Sequence, residues 1–429
     1  MDRGFFTILG AQFLSALADN ALFIAAIALL KSQHASQVEV SLLLHFFTIS
    51  YVVLSPFVGA FADAIPKGRV MLICNSIKFA GCLGMLLGLD PLLAYAIVGF
   101  GAAAYSPAKY GIITEYLPHD KLVIANGWLE GSTVGAIILG TVLGGLLVGP
   151  NVTHLLENSG SPVSGPLFGV LSTTLLYLGA ALINLRIPKL NVDHKVPHRN
   201  PMYLLHDFWH CVKLLWRDPQ GQLSLAVTTL FWGSGATMRL IVLDWAIIWL
   251  SFNLEQATRL IAIVAFGTAF GAVLAGRYVQ LQHAFRVLPA GILMGGLVIS
   301  MLFVHNVYVA AVLMFIVGAL GGFFVVPLNA MLQHRGHLLM GAGHSIAVQN
   351  FNENLGILVM VGIHALLVKY MSEAVPADAA AVVADYYSKA GGMPPMLAIV
   401  SGFGLILGGV MLIITLLHRR RVRNGAMAH

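Results

Sequence analysis

Runs of about 20 mostly apolar residues, repeated about twelve times along 429 residues, constrain this chain more than any other feature. A helix rises about 1.5 Å per residue and the hydrocarbon core of a bilayer is about 30 Å thick, so each run is long enough to cross. No water reaches peptide groups at that depth, so each run must satisfy its own backbone as a helix. Composition agrees: 58% of residues are hydrophobic, 10% are charged, and the mean hydropathy is +0.84. A soluble chain carries about 25% charged residues. The pattern excludes a soluble enzyme and a soluble nucleic-acid binder, and it makes the +6 formal charge a matter of membrane topology.

Spans are expected near 5–30, 40–64, 69–89, 92–116, 122–149 and 164–187. A second set follows near 222–250, 255–281, 287–304, 306–332, 340–369 and 395–417. Pro91 and Asn306 mark tight turns between neighbours. The stretch from Phe5 is too long for a cleavable signal and carries Asp19 and Asn20, so it reads as the first span. With the N-terminus placed in the cytoplasm, 17 of the 24 Lys and Arg fall in loops on that side and 4 on the other. Lys78, Lys109 and Arg239 lie within spans. This bias puts both termini inside a bacterial inner membrane.

The expected fold class is an all-α membrane protein with two pseudo-symmetric six-helix halves, residues 1–187 and 222–429. The linker between them, 188–221, is rich in His, Pro and basic residues. Within it Pro201–Arg217 is suited to an amphipathic helix on the membrane surface. Cys74 and Cys82 stand about 12 Å apart along one helix, too far to bridge. Cys211 falls in the linker, and no disulfide framework is expected.

Ionisable groups inside spans cost roughly 2.5–3.5 kcal/mol or more each, which makes them the first candidates for function. Gln12, Ser15 and Asp19 form one stripe on the first span, with Asn20 beside it. Arg239 sits inside the seventh span, where it calls for a wet cavity, a carboxylate or an anionic ligand. Its planar fork suits a phosphate. Its structural alternatives are an ion pair with Asp19 or with Glu353. Asp244, about 140° around the helix, is badly placed to neutralise it. Lys78 reads as a structural partner. Lys109 reads either as a phosphate contact or as a lysine snorkelling to the interface.

On the eleventh span Ser345, Gln349, Asn352, Glu353 and Gly356 share a face. The spacing Asn126-x-x-x-Glu130 on the fifth span recurs as Gln349-x-x-x-Glu353, which supports duplication. Gly140 and Gly144 read as packing positions. His45, His344 and His364 read as packing or hydrogen-bonding residues. No P-loop, HExxH or nucleophile elbow is present, so no enzymatic site is expected.

The loop after the second span, Gly59-Ala-Phe-Ala-Asp63-Ala-Ile-Pro-Lys67-Gly68-Arg69, resembles the G-x-x-x-D-x-x-x-[KR]-x-[RK] signature of the major facilitator superfamily. There Gly59 would allow close helix approach, and Asp63 would pair with a base or cap a helix end. Asp63, Lys67 and Arg69 are expected to bias the outward-open state. Three further segments resemble the lysophospholipid transporter (LplT) family within that superfamily. They are Gly10-Ala-Gln12 through Asp19-Asn20-Ala-Leu, the Gly101–Gly111 stretch with Tyr-Ser-Pro-Ala-Lys-Tyr-Gly, and Ala125-Asn126-Gly127. The stretch Ile346-Ala-Val-Gln349-Asn350 to Glu353-Asn354 adds to the likeness.

The resemblance implies a flippase for lysophosphatidylethanolamine and lysophosphatidylglycerol working by alternating access. It implies a partner acyltransferase/acyl-carrier-protein synthetase, expected to be a separate chain. Arg239 and Lys109 would meet phosphate, Asp19 or Glu353 the ammonium, with Asn20 and Gln349 beside them. No cofactor is expected, and Asp19 and Glu353 are candidate Na⁺ or H⁺ sites. Two alternatives compete: an ion-coupled exporter of amphipathic drugs, and a non-transporting scaffold for a lipid acyltransferase. The span-five glycines partly match a drug-antiporter motif, but Gly145 stands where that motif has proline.

Overall fold

The computed structural model describes residues 2–33, 37–160, 162–188, 200–252, 254–374, 383 and 393–423. Twelve stretches among them are helical, long and apolar enough to cross a membrane. In chain order the helices are α1 (Arg3–Ser32), α2 (Gln37–Ala64), α3 (Lys67–Leu86), α4 (Pro91–Tyr116), α5 (Leu122–Leu147), α6 (Pro150–Asn158) and α7 (Gly165–Asn184). They continue as α8 (Pro201–Arg217), α9 (Pro219–Leu250), α10 (Leu254–Tyr278), α11 (Leu288–Ser300), α12 (Val307–Met340), α13 (Ala342–Met371) and α14 (Met396–Arg423). The short α6 and the amphipathic α8 do not span by themselves, and the 13-residue α11 spans only together with the turns on either side, as Leu281–Phe303. The multi-pass all-α architecture is as expected.

The expected turns close by capping. Asp90 accepts from the Leu92 and Leu93 amides with Pro91 at the first helical position, and Asn306 accepts from Tyr308 and Val309. Each cap satisfies amides that have no partner within the helix. Some helices outrun their apolar stretches. α12 continues through the polar residues after 332 as far as Met340, and α14 runs on through Arg419–Arg421 to Arg423. Basic side chains there meet the negative end of the α14 dipole. α4 stays helical through Pro107.

Two compact units are present. The first comprises residues 1–122, 132–217 and 333–351, and the second 123–131, 218–332 and 352–429. In the first, Leu22, Ala25, Ala26 and Leu29 of α1 pack with Cys82, Tyr95 and Tyr177. Gly140 and Gly144 bring α5 against the α1 backbone: a Cβ at Gly140 would lie 2.5 Å from the Leu17 carbonyl oxygen, and one at Gly144 would lie 2.8 Å from that of Ala21.

In the second unit, Trp245 anchors a core with Ile241, Met301 and Met314, and its indole N–H donates to the Met301 carbonyl at 3.0 Å. α10 and α12 are in backbone contact there. A Cβ at Gly271 would fall 1.8 Å from the Ala319 carbonyl oxygen, and one at Gly322 would fall 2.0 Å from that of Thr268. Leu175 and Leu182 on α7, and Leu405, Ile406 and Ile413 on α14, face outward. Such apolar exposure fits a surface solvated by lipid.

Candidate functional site

Within the first unit, α1, α3 and α7 close on a polar cluster. The Gln12–Ser15–Asp19 stripe of α1 faces Asn75 and Lys78, one turn apart on α3. Lys78 Nζ lies 2.8 and 2.9 Å from the two Asp19 carboxylate oxygens and 3.1 Å from Ser15 Oγ. Ser15 donates in turn to Asn75 Oδ1 at 2.7 Å, and the Tyr177 hydroxyl donates to Asp19 Oδ1 at 2.6 Å. The rings of Tyr105 and Tyr177 stand 4.9 and 5.5 Å from the ammonium. Gly101 of α4 makes room for the lysine stem, since a Cβ there would lie 2.8 Å from Lys78 Cγ.

The Lys78 side chain is 1% exposed and that of Asp19 is 22% exposed, so solvent reaches the pair through the carboxylate. A buried ion pair is weak evidence for stability, yet breaking one partner away is costly. A proton or cation arriving at Asp19 would compete with the ammonium and loosen four linked side chains together. Both amide atoms of Gln12 are buried without a partner among the described residues. Asn20 turns back on its own helix, donating to the Ala16 carbonyl at 2.8 Å.

A second constellation joins the end of α2 and the start of α3 to α4 and the first turn of α13. Gly59 lets α2 approach the start of α13: a Cβ there would lie 2.9 Å from Ala347 Cβ and 3.0 Å from His344 Cα. One turn on, Asp63 accepts from the Gly343 amide at 2.7 Å and the His344 amide at 3.0 Å, and its Oδ2 is 2.6 Å from His344 Nδ1. A carboxylate thus caps the first turn of α13, where free amides and the helix dipole favour negative charge.

Lys67 holds that carboxylate from the other side. Its Nζ is 2.7 Å from Asp63 Oδ1, 2.7 Å from the Ala62 carbonyl and 3.1 Å from Glu115 Oε1. The linker helix joins through Asp207, whose Oδ2 is 3.3 Å from His344 Nε2. Gly59, Asp63 and Lys67 therefore come together at this contact, whereas Arg69 is exposed and outside it. His344 is hydrogen-bonded to Asp63 through Nδ1, within the packing or hydrogen-bonding role expected of it, and its Nε2 lies near Asp207 without a hydrogen bond.

The remaining candidates are dispersed. Lys109 donates to Thr133 Oγ1 at 3.0 Å and stands over the Tyr110 ring. Asn350 donates to Ser106 Oγ at 2.8 Å, and Gln349 beside it is buried. In the second unit Glu353 is buried and Glu130 lies 3.5 Å from Asn329 Nδ2. Arg239 on α9 is exposed and forms no ion pair among the described residues. The site residues that sequence reasoning missed are Asn75, Glu115, Tyr177, Asp207 and Gly343. The i, i+3 spacing of Asn75 and Lys78 was the one signal available for any of them.

Comparison with known proteins places these features in context. The family model described as Major Facilitator Superfamily matches residues 8–361. The chain is 44% identical to a protein named lysophospholipid transporter LplT from Yersinia enterocolitica serotype O:8 / biotype 1B, over 86% of this chain and 88% of that one. It is 42% identical to the protein of the same name from Serratia proteamaculans, over 86% and 89%. Among solved structures, it superposes on the Major Facilitator Superfamily transporter FucP in the outward conformation with a TM-score of 0.69 and 14% identity, covering 96% of this chain and 98% of that one. A bacterial homologue of the iron transporter ferroportin gives a TM-score of 0.68 at 14% identity, covering 96% and 100%. At that identity the structures speak for the fold alone.

Proposed function

We propose, for a chain that belongs to the Major Facilitator Superfamily and to its lysophospholipid transporter family, how this sequence moves a single-tailed phospholipid across the membrane. The observation that carries the cargo class is the 42–44% identity to named lysophospholipid transporters over 86% of the chain. The direction is from the outer to the inner leaflet of the bacterial inner membrane, with both termini cytoplasmic. Lysophosphatidylethanolamine and lysophosphatidylglycerol are the cargoes. Arg239 takes the phosphate, because an exposed guanidinium within an apolar span needs an anion and its fork fits phosphate oxygens. Glu353, buried in the same unit as Arg239, supplies a polar group for the headgroup.

Movement is by alternating access. Capping of α13 by Asp63, with Gly59 permitting the approach, stabilises closure toward the cytoplasm. Release of that contact admits the inward-facing state. The Asp19–Lys78 pair is the coupling element: Na⁺ or H⁺ binding at Asp19 frees Lys78 and loosens α1 from α3. No chemical step on the cargo is involved. The lipid delivered is a substrate for an acyltransferase that restores the second chain.

Uptake of labelled lysophosphatidylethanolamine by spheroplasts lacking their own transporter, with and without this chain, tests the cargo. Rescue that is lost in Arg239→Ala at equal expression supports the reading. No rescue with verified expression, accompanied by drug resistance, would replace it with amphipathic-drug export.

A further inference from the structure

α8 has more apolar surface than its docking uses. At about 100° per residue three adjacent faces can be told apart, with Tyr203, Asp207 and Leu214 on the remaining side. Phe208, Cys211, Val212 and Leu215 are buried. Beside them, within about 60° of arc, lie Met202 at 70% exposure, Leu205 at 37%, Trp209 at 45% and Trp216 at 37%. Beyond that stripe stand His206, Lys213 and Arg217, all exposed. Docking on protein accounts for the first row and for Trp209, whose ring meets Phe351 of α13, but not for the exposed Met202 and Leu205.

The one acidic side chain of the helix, Asp207, lies off the basic row and approaches His344 of α13. Phe208 and Trp209 also set their rings 5.4 and 5.7 Å from that of Phe351 on α13. Docking on α2 and α13, both membrane-spanning, holds α8 at the level of the interface. An exposed Trp-bearing stripe bordered by Lys and Arg is the chemistry of a helix seated on an anionic lipid surface.

We propose that α8 is a lipid-seated arm of the α2–α13 latch. Its apolar stripe enters the surface of the cytoplasmic leaflet, and Lys213 and Arg217 bind anionic phospholipid headgroups there. The seated helix holds Asp207 against His344. Anionic lipid then favours the closed latch, whatever cargo the transporter carries. Each basic residue at such a surface contributes about fivefold in partitioning, so the pair contributes about 25-fold.

The test uses the full chain in vesicles of phosphatidylcholine alone or with phosphatidylglycerol. Brominated phosphatidylglycerol should quench a tryptophan signal that disappears in Trp209→Phe/Trp216→Phe, and brominated phosphatidylcholine should quench it much less. Maleimide modification of Cys211, mapped by peptide mass spectrometry, should slow several-fold when phosphatidylglycerol is present. In Lys213→Gln/Arg217→Gln both lipid effects should vanish while thermal unfolding in detergent is unchanged. Equal quenching by the two lipids, or a phosphatidylglycerol effect of the same size in that variant, overturns the proposal. So does a variant impaired in cells but normal in both vesicle readouts, which would assign the face to a protein partner.

Discussion

Replacing Asp63 with Ala removes the group that joins α2 to the first turn of α13. The carboxylate accepts from two α13 amides at 2.7 and 3.0 Å and meets the His344 ring at 2.6 Å. Losing a helix cap costs about 1–2 kcal/mol, and a carboxylate at a partly buried helix N-terminus contributes up to about 2 kcal/mol more. Asp63 is 10% exposed, so solvent screens little of this. Taking about 3 kcal/mol for the sum, the equilibrium between closed and open cytoplasmic ends shifts by about 150-fold. Lys67 stays tied to Glu115 at 3.1 Å, which limits the damage to the fold. In proteoliposomes Asp63→Ala should lower the turnover of labelled lysophosphatidylethanolamine by at least tenfold with little change in the concentration for half-maximal rate. Asp63→Asn, which keeps an acceptor but loses the charge, should fall between. The reasoning is refuted if turnover is preserved and only cargo affinity drops, because the residue would then belong to binding.

Gly59→Leu should slow turnover in the same way, since a Cβ there already meets Ala347 Cβ at 2.9 Å; unchanged rates would show that the approach is dispensable. Lys78→Met strands Asp19 beside Tyr177 and should destabilise the protein by about 3 kcal/mol. Adding Asp19→Asn should recover most of the thermal unfolding midpoint without restoring transport, and additivity of the two would exclude coupling. Asp19→Asn alone should still bind cargo but lose its response to an imposed Na⁺ or H⁺ gradient, measured as initial uptake with and without the gradient. Arg239→Ala should raise the half-saturating lysophospholipid concentration by roughly 10- to 150-fold, the worth of a hydrogen bond to a charged group. Arg239→Lys should recover part of that loss.

Features set by local chemistry were legible in the sequence. The spans follow from apolar length, the Asn306 turn from a side chain that caps the next helix, and the bounds of α8 from its amphipathic period between Pro201 and Arg217. Gly59 could be read as a close approach because it fills the glycine position of the loop signature that the segment resembles. Partners could not be read. Lys78 meets Asp19 across 59 residues, and Asp63 meets His344 across 281, and no helical period encodes such pairings. His344 at the head of α13 was legible as a packing or hydrogen-bonding residue, but its neighbouring carboxylates were not, because they come from α2 and α8. Asn20 invited a binding role by adjacency to Asp19, yet a neighbour on a helix points about 100° away, here toward its own backbone.

The glycine contacts between α10 and α12 also restrict how the protein can work. Gly271 against Ala319 and Gly322 against Thr268 leave no room for even a methyl group. Sliding one helix along the other by a residue would drive side chains into backbone, so the seam has a single register, like meshed teeth. Shear between those two helices is therefore blocked, and they must turn together as one lever. Whatever bending a transport cycle needs is left to junctions such as Gly341, whose φ of +96° separates α12 from α13.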